Sequence, residues 1–145
     1  MAAVSTYLNF DGNTEQAFEF YKSVFGTDYI GGIMCMGDLP AQEGMPPMPD
    51  DVKNKIMNVQ LPILGGHILM GTDVLEGYGS RLVTGNNVHI VLRPDTREEA
   101  DALFVALSAG GEVGMPMTDQ FWGDYYGAFT DKFGIGWMID HQPGQ

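Results

Sequence analysis

The chain has 145 residues, of which 44% are hydrophobic, and this length suits one domain with a core rather than two conventional domains. Its formal net charge is −12 at pH 7 and its seven basic residues are scattered, which argues against nucleic acid and anionic membranes as partners. No signal-peptide pattern and no apolar run of about 18 residues is present, and one cysteine excludes an internal disulfide, so we expect a cytoplasmic protein.

The first half of the sequence predicts a strand, a helix and three further strands. Residues 4–10 alternate and are rich in β-forming residues. A helix follows from its expected N-cap, Asn13, to a stop signal at Gly26. The Gly65-Gly66 pair predicts a hairpin turn. The remaining predicted segments are a strand over 29–36, a long loop over 37–51, and the two hairpin strands over 55–64 and 67–72.

The same order returns in the second half. A strand over 87–93 precedes a helix with a capping box, in which Thr96 is the N-cap and Glu99 stands three residues later. Gly110 and Gly111 end that helix, and three strands are predicted over 112–117, 125–130 and 136–140. The two helix caps lie about 83 residues apart (96 − 13), which indicates an internal repeat. The half-repeats are placed at 4–73 and 87–141, with a linker over 74–86; element order alone leaves a ferredoxin-like pair open.

Two sequence blocks carry a family resemblance. The first is YLNFDGN (7–13) running into a helix that ends FYKSVFG (20–26); the second is QFWGDYYG (120–127) with TDKFGIGWMI (130–139). Together they resemble the PhnB-like family of the vicinal-oxygen-chelate superfamily, which includes glyoxalase I, bleomycin-resistance proteins and extradiol dioxygenases. The resemblance implies an α+β fold in which two tandem βαβββ half-repeats form a cupped mixed sheet around a cleft. It also implies a homodimer.

The resemblance further implies where a divalent metal would be held, by one side chain from the first and last strand of each half. Imidazole and carboxylate groups are the usual ligands of such ions. In the first half the implied positions carry Ser5, with Tyr7 and Asn9 on the same face, and Met70 or Gly71, with Asp73 just beyond. In the second half they carry His89 and Met138. Only His89 is a strong ligand, so we predict no metal and no other cofactor; an ion held by His89, Asp140 and waters is the alternative.

Polar and aromatic residues at alternating strand positions are predicted to line a ligand cleft instead. A covering of the sheet by packing alone is the competing interpretation. The candidate ligand-binding residues are Tyr7, Asn9, Asn58, Gln60, His89, Phe121, Trp122, Tyr125 and Met138. No residue is predicted to be catalytic, and Cys35 is interpreted as a buried apolar thiol.

These observations favour a protein that binds a small organic ligand without a tightly held metal. One alternative is a metal-dependent lyase, isomerase or dioxygenase of glyoxalase type; another is drug sequestration, as in bleomycin-resistance relatives, for which an acidic surface suits a cationic ligand. Some members of the family carry a 3-demethylubiquinone-9 3-methyltransferase label. A methyltransferase of the usual kind needs a glycine-rich loop after the first strand of a doubly wound sheet, and the glycine pairs here lack that context.

Overall fold

Two βαβββ units follow one another along the chain. The computed structural model describes residues 1–40, 43–44, 46–75 and 81–144. Contacts divide the chain into a first unit, Met1–Val83, and a second unit, Thr84–Gln145. Each unit contains one four-stranded mixed sheet, so the α+β class and the tandem half-repeat architecture are confirmed.

The sheet of the first unit has the strand order β1-β4-β3-β2. β1 pairs with β4 in parallel, and the other two pairs are antiparallel. β1 and β4 can pair in parallel because the long connection between them, which includes α1, brings the chain back to the end of the sheet at which β1 begins. The elements are β1 (Thr6–Phe10), α1 (Thr14–Phe25), β2 (Met34–Cys35), a short α2 (Asp50–Lys53), β3 (Ile56–Pro62) and β4 (Ile68–Asp73).

The core of the first unit lies between its sheet and α1. Leu8 and Phe10 are buried, as their alternation in β1 predicts, and Phe18 and Tyr21 of α1 are fully buried. Gly71 of β4 allows this close packing, because a Cβ atom there would lie 2.4 Å from the ring of Phe18. Helix and sheet therefore approach to a distance that only glycine permits at this position.

The N-terminus of α1 is capped from a distant strand. Asn13 is the N-cap residue, as predicted, but its side chain makes no capping hydrogen bond. Instead, Asp73 Oδ1 accepts hydrogen bonds from the Thr14 backbone N–H at 3.1 Å and the Thr14 hydroxyl at 2.6 Å. Asp73 Oδ2 accepts a third, from the Ile56 N–H at 2.8 Å. A buried carboxylate beside a helix N-terminus supplies the acceptor and the negative charge that this end of a helix needs.

The second strand is much shorter than the predicted 29–36. β2 has only two residues, and its pairing with β3 is irregular between Met34 and Cys35. Gly31 and Gly32 have φ of 72° and 77°, which turns the chain out of an extended conformation. A glycine pair inside a β-rich run therefore interrupted the strand.

The second unit repeats the pattern with the strand order β5-β8-β7-β6. Thr96 Oγ1 accepts a hydrogen bond from the Glu99 N–H at 3.1 Å, which confirms Thr96 as the cap of α3. The core lies between α3 and the sheet, with Leu103, Leu107, Phe129 and Trp137 all buried. The elements are β5 (Ile90–Leu92), α3 (Arg97–Ser108), β6 (Glu112–Asp119), β7 (Tyr125–Thr130) and β8 (Gly136–His141).

A buried carboxylate also organises the hairpin between β7 and β8. Asp131 is 3% exposed and accepts hydrogen bonds from the Phe133 and Ile135 N–H groups at 2.8 and 3.1 Å. Its Oδ2 accepts a hydrogen bond from the indole Nε1 of Trp137 at 2.8 Å. This confirms the hairpin predicted from the DKFG sequence and fixes the largest core side chain of the unit.

Two predicted segments lie partly outside the described residues. These are the loop at 37–51, of which 41–42 and 45 are not described, and the linker at 74–86, of which 76–80 are not described. The described part of the loop contains a 3-10 turn, Met36–Asp38, and α2. None of the helices in the described ranges has the length and apolar character needed to span a bilayer.

Candidate functional site

One face of the first sheet is left open, opposite the face that packs on α1. Tyr7 and Gln60 both pair with Met70, so these three residues form one row across β1, β4 and β3. Asn9 pairs with Thr72 in the next row. Tyr7 is 48% exposed and Asn9 is exposed, whereas Leu8 and Phe10 between and beyond them are buried. The register thus places the predicted residues of β1 on the open face.

Asn58 and Gln60 reach the same face from β3. Both are half-buried, while Val59 and Leu61 beside them are fully buried against the helix side. Met34 pairs with Asn58 at the edge of the sheet. The structure therefore brings four predicted ligand-binding residues of the first unit to one surface, which is polar and methionine-rich.

A cavity of about 590 Å³ opens beside the Asn9–Thr72 row. Its polar lining comes from Asn9, Thr72, Asp73 and Arg81. Thr72 donates its hydroxyl to the carbonyls of Ile56 and Met57, at 3.2 and 2.8 Å. The side chains of Asn9 and Arg81 pair with no other described residue, so their amide and guanidinium groups have hydrogen-bonding capacity left for a ligand.

The rest of the cavity wall is apolar, and much of it comes from the chain that follows β4. A volume of this size lies within the roughly 300–1,000 Å³ range of small-molecule sites, which combine an apolar lining with a few polar groups. The apolar lining residues are Met36, Val74, Leu75, Leu82 and Val83.

Asp73 lines the cavity, but its carboxylate makes hydrogen bonds within the protein rather than facing a ligand. It is 4% exposed, and its two oxygens already accept the three hydrogen bonds from Thr14 and Ile56. A carboxylate held in this way orients β4 and α1 rather than a ligand. Arg81 is therefore the ionisable side chain in the described lining that is exposed to an incoming molecule.

The open face of the second sheet carries two further predicted residues. Met138 pairs with Val91 on one side and Ala128 on the other, which forms an apolar row with the 47% exposed side chain of Val91. His89 precedes β5 and is exposed, and its Cδ2 lies 2.9 Å from the position a Cβ on Gly136 would occupy. The imidazole of His89 thus rests over Gly136.

The implied metal site does not fit this register. His89 stands beside Gly136, and Asp140 is four residues further along β8, a separation of about 13 Å at the usual rise of a strand. One ion cannot be coordinated by both side chains over that distance. Within the ranges that the structure describes, no group of three or more His, Cys, Asp or Glu side chains is arranged to hold a metal.

Tyr125 faces the other way from the predicted cleft. It is 8% exposed and donates its hydroxyl to Asp101 Oδ1 on α3 at 2.5 Å. The guanidinium of Arg97 lies 3.7 Å from the centre of its ring and also pairs with Asp119 at 2.7 Å. The prediction that Tyr125 lines a ligand cleft is corrected accordingly. Alternation puts Tyr126, not Tyr125, on the open face, and two adjacent tyrosines gave the sequence no means of distinguishing them.

Phe121 and Trp122 lie in the turn between β6 and β7. Their rings pack edge-to-face at 4.9 Å and are 97% and 57% exposed. The structure therefore places this aromatic pair on the surface of the second unit. It does not place the pair among the residues that line the cavity of the first unit.

Two carboxyl groups meet at the same end of the second sheet. Burial first, then a hydrogen bond with Asp124, raises the pKa of Asp140. Burial alone would raise the pKa of Asp124. Hydrogen bonds from Trp122, Asp140 and Gln142 have the larger combined effect, so that its pKa is lowered. Asp140 Oδ1 is buried without a partner among the described residues. When the pair takes up a proton, Asp140 therefore carries it rather than Asp124.

Comparison with known proteins identifies the superfamily. The model of the Glyoxalase/Bleomycin resistance protein/Dioxygenase superfamily matches residues 4–139. The chain belongs to this superfamily. It is 30% identical over 150 residues to Protein YjdN of Escherichia coli K12, with 98% of the chain and 99% of YjdN covered.

Two solved structures are similar to this chain over nearly its whole length. The chain is similar to protein PA1353 from Pseudomonas aeruginosa, at 34% identity and a TM-score of 0.82, with 98% of each chain covered. It is also similar to the PhnB protein from Bacillus cereus, at 22% identity and a TM-score of 0.70, with 97% of this chain and 99% of that one covered. The second likeness shows the fold alone.

The sequence did not single out Arg81. It lies in the predicted linker, where no strand or helix periodicity marks a site. Basic residues are few in this chain, seven in all, and Arg81 is followed directly by the apolar residues Leu82 and Val83. This was the feature of the sequence that could have indicated a binding residue here. Its position beside Asn9 follows from the course of the chain after β4, which local sequence does not encode.

Proposed function

We propose that this superfamily member binds a small organic ligand in the cavity of its first unit and does so without a tightly held metal. The observation that carries the proposal is the cavity itself, about 590 Å³, in which five apolar residues stand beside polar ones, among them Asn9 and Arg81, whose side chains pair with no other described residue. A site of this composition recognises a ligand by shape and by a few directed hydrogen bonds. Four of the predicted residues, Tyr7, Asn9, Asn58 and Gln60, share the surface at which it opens.

The glyoxalase-type alternative needs a set of metal ligands that the described residues do not supply. His89 is separated from Asp140 by the register of β8, and the other implied positions carry Ser5, Met70 or Gly71, and Met138. We therefore assign no reaction step to a metal. His89, Met138, Phe121 and Trp122 stay candidates for ligand contact through the second unit, and a homodimer stays a prediction.

A fragment screen tests the proposal. Backbone amide shifts of the ¹⁵N-labelled protein are recorded with several hundred fragments, in which acids, amides and amines of matched skeleton are equally represented. Hits are expected to shift the amide signals of Thr72, Val74 and Leu82, which line the cavity. A screen whose hits leave these signals unchanged contradicts the proposal.

A matched pair of variants distinguishes the cavity from the rest of the open face. Asn9→Trp fills the cavity from an exposed position and is expected to weaken the hits by at least about tenfold, which is about 1.4 kcal/mol. Met34→Trp adds the same side chain at the edge of the same sheet, at a position that is 46% exposed and outside the cavity lining, and is expected to leave affinity within about twofold. Equal weakening by both variants would mean that ligands bind elsewhere on the sheet.

A further inference from the structure

The charge of the cavity constrains its ligand. Arg81 and Asp73 are the ionisable residues in the described lining. Asp73 is buried, and its carboxylate is compensated by three donors at the N-terminus of α1 and the start of β3. The guanidinium of Arg81 is exposed, and within the described part of the chain no carboxylate lies within 4 Å of it. The charged group of the described lining that a ligand can contact directly is therefore the guanidinium of Arg81, because both oxygens of Asp73 are buried and already hydrogen-bonded.

We propose that the cavity takes an organic carboxylate with an apolar body, and that Arg81 pairs with its anionic group. This inference rests on the proposed function, since it names the class of ligand for the same cavity. The planar fork of a guanidinium matches the two oxygens of a carboxylate and forms two parallel hydrogen bonds with them. The apolar body of the ligand lies against Val74, Leu75, Leu82 and Val83.

Asn9 supplies the second directed contact. It stands on the open face of β1 beside Thr72, and its amide offers both a donor and an acceptor. A neutral polar group on the ligand, such as a hydroxyl or a carbonyl near the carboxylate, satisfies it. Thr72 contributes an acceptor only, because its hydroxyl proton is already donated to the carbonyls of β3.

The same geometry disfavours two other ligand charges. A cation placed in the cavity would lie beside Arg81, and like charges at close range repel. A phosphate with two negative charges needs a second cation or a cluster of N–H donors, and the described lining offers one guanidinium. A carboxylate, with one negative charge and two oxygens, is the anion that this lining matches.

A series of probes with one skeleton tests the inference. Octanoate, octanamide, octylamine and octyl phosphate are titrated into the protein, and binding is followed through the amide signals of Thr72, Val74 and Leu82. Octanoate is expected to bind about tenfold more tightly than octanamide, the usual worth of a hydrogen bond to a charged group. Octylamine and octyl phosphate are expected to bind more weakly than octanoate.

Arg81→Gln removes the charge while keeping a polar side chain. The variant is expected to bind octanoate and octanamide equally, because only the charged contact is lost. Arg93→Gln makes the same change at a residue of the second unit that does not line the cavity, and it is expected to keep the preference for octanoate. Urea unfolding of both variants verifies that each is folded.

The possible failures are distinguishable. If fragments and octyl probes shift the cavity signals but octanoate has no advantage over octanamide, the cavity binds ligands and the assignment of a carboxylate is wrong. If octyl phosphate binds most tightly, the cavity prefers a phosphate to a carboxylate, and if octylamine does, it prefers a cation. Either result contradicts the assignment of a carboxylate ligand. If neither the fragments nor the probes shift those signals, the proposed function fails together with the inference.

Discussion

Asp73 Oδ1 accepts hydrogen bonds from both the backbone N–H and the side-chain hydroxyl of Thr14, although the two residues are 59 positions apart in the chain. Both residues are buried, Thr14 at 0% and Asp73 at 4% exposure. This contact joins the first turn of α1 to the last residue of β4. It fixes the helix over the sheet and holds the end of β4, from which the chain continues into the wall of the cavity.

Asp73→Asn is expected to lower the free energy of unfolding by about 2–4 kcal/mol, because an amide cannot accept all three hydrogen bonds and leaves buried donors unpaired. Urea unfolding measures the change. Asp28→Asn removes a carboxylate that is 90% exposed and pairs with Lys22 at the surface, and its stability is expected to stay near that of the natural chain. Equal small effects of both substitutions would show that Asp73 does not hold the unit together.

Gly71→Ala tests how closely α1 packs on β4. The added methyl group would lie 2.4 Å from the ring of Phe18, so the helix must move or the ring must leave its position. We expect a loss of about 2–3 kcal/mol in the free energy of unfolding. Gly114→Ala is the matched control, because its nearest neighbour is a carbonyl oxygen at 3.7 Å, and it is expected to change stability by less than about 0.5 kcal/mol. A tolerated Gly71→Ala would contradict the close approach.

Tyr29 is expected to ionise well above the ordinary range of a tyrosine. Burial first, then the negative charge of Glu19, raises its pKa from 10.0 to about 12. Its neutral form is favoured in the folded state, so the stabilisation is complete below about pH 10 and is lost as pH rises towards 12. Absorbance at the phenolate band during an alkaline titration follows the group directly.

Tyr29→Phe is therefore expected to remove part of the loss of stability between pH 10 and about 12. Tyr7→Phe, at a residue that is 48% exposed, provides the comparison. An unchanged alkaline limb of the stability curve in Tyr29→Phe would show that Tyr29 ionises normally in the folded protein.

Asp140→Asn tests the carboxyl pair of the second unit. The pKa of Asp140 is raised, so the folded state retains a proton that the unfolded chain releases, and stability falls as pH rises from 3.8 through the raised pKa. The side-chain amide that this substitution introduces can still donate a hydrogen bond to Asp124, and it has no charge to bury. We expect Asp140→Asn to be more stable than the natural chain at neutral pH, with the advantage shrinking as the solution is acidified towards 3.8.

The control for this experiment is Asp95→Asn, which removes one exposed carboxylate from the same unit. It separates the effect of net charge from the effect of the pair, since both variants change the formal charge equally. If the two variants have the same pH profile, the raised pKa of Asp140 does not contribute to stability.

Local patterns predicted the parts of this fold that depend on neighbours in sequence. Alternation in β1 placed Leu8 and Phe10 in the core and Tyr7 and Asn9 on the open face, and the cap at Thr96 was identified from its spacing to Glu99. The same reasoning placed Asn13 at the N-cap position but expected a hydrogen bond that its side chain does not make. The first N–H group of the helix, that of Thr14, is bound instead by the buried carboxylate of Asp73 from β4, which lies 59 residues away in the sequence.

The sequence by itself determined two βαβββ units, the positions of their helices and which side of β1 is buried, since periodicity and turn residues act over a few positions. Tertiary structure alone decided that Asp73 caps α1, that Tyr125 faces α3, and that Arg81 stands with Asn9 at a cavity. These relationships depend on strand register and on the path of the chain after β4. Register arises from the packing of whole elements, which no local stretch of sequence specifies.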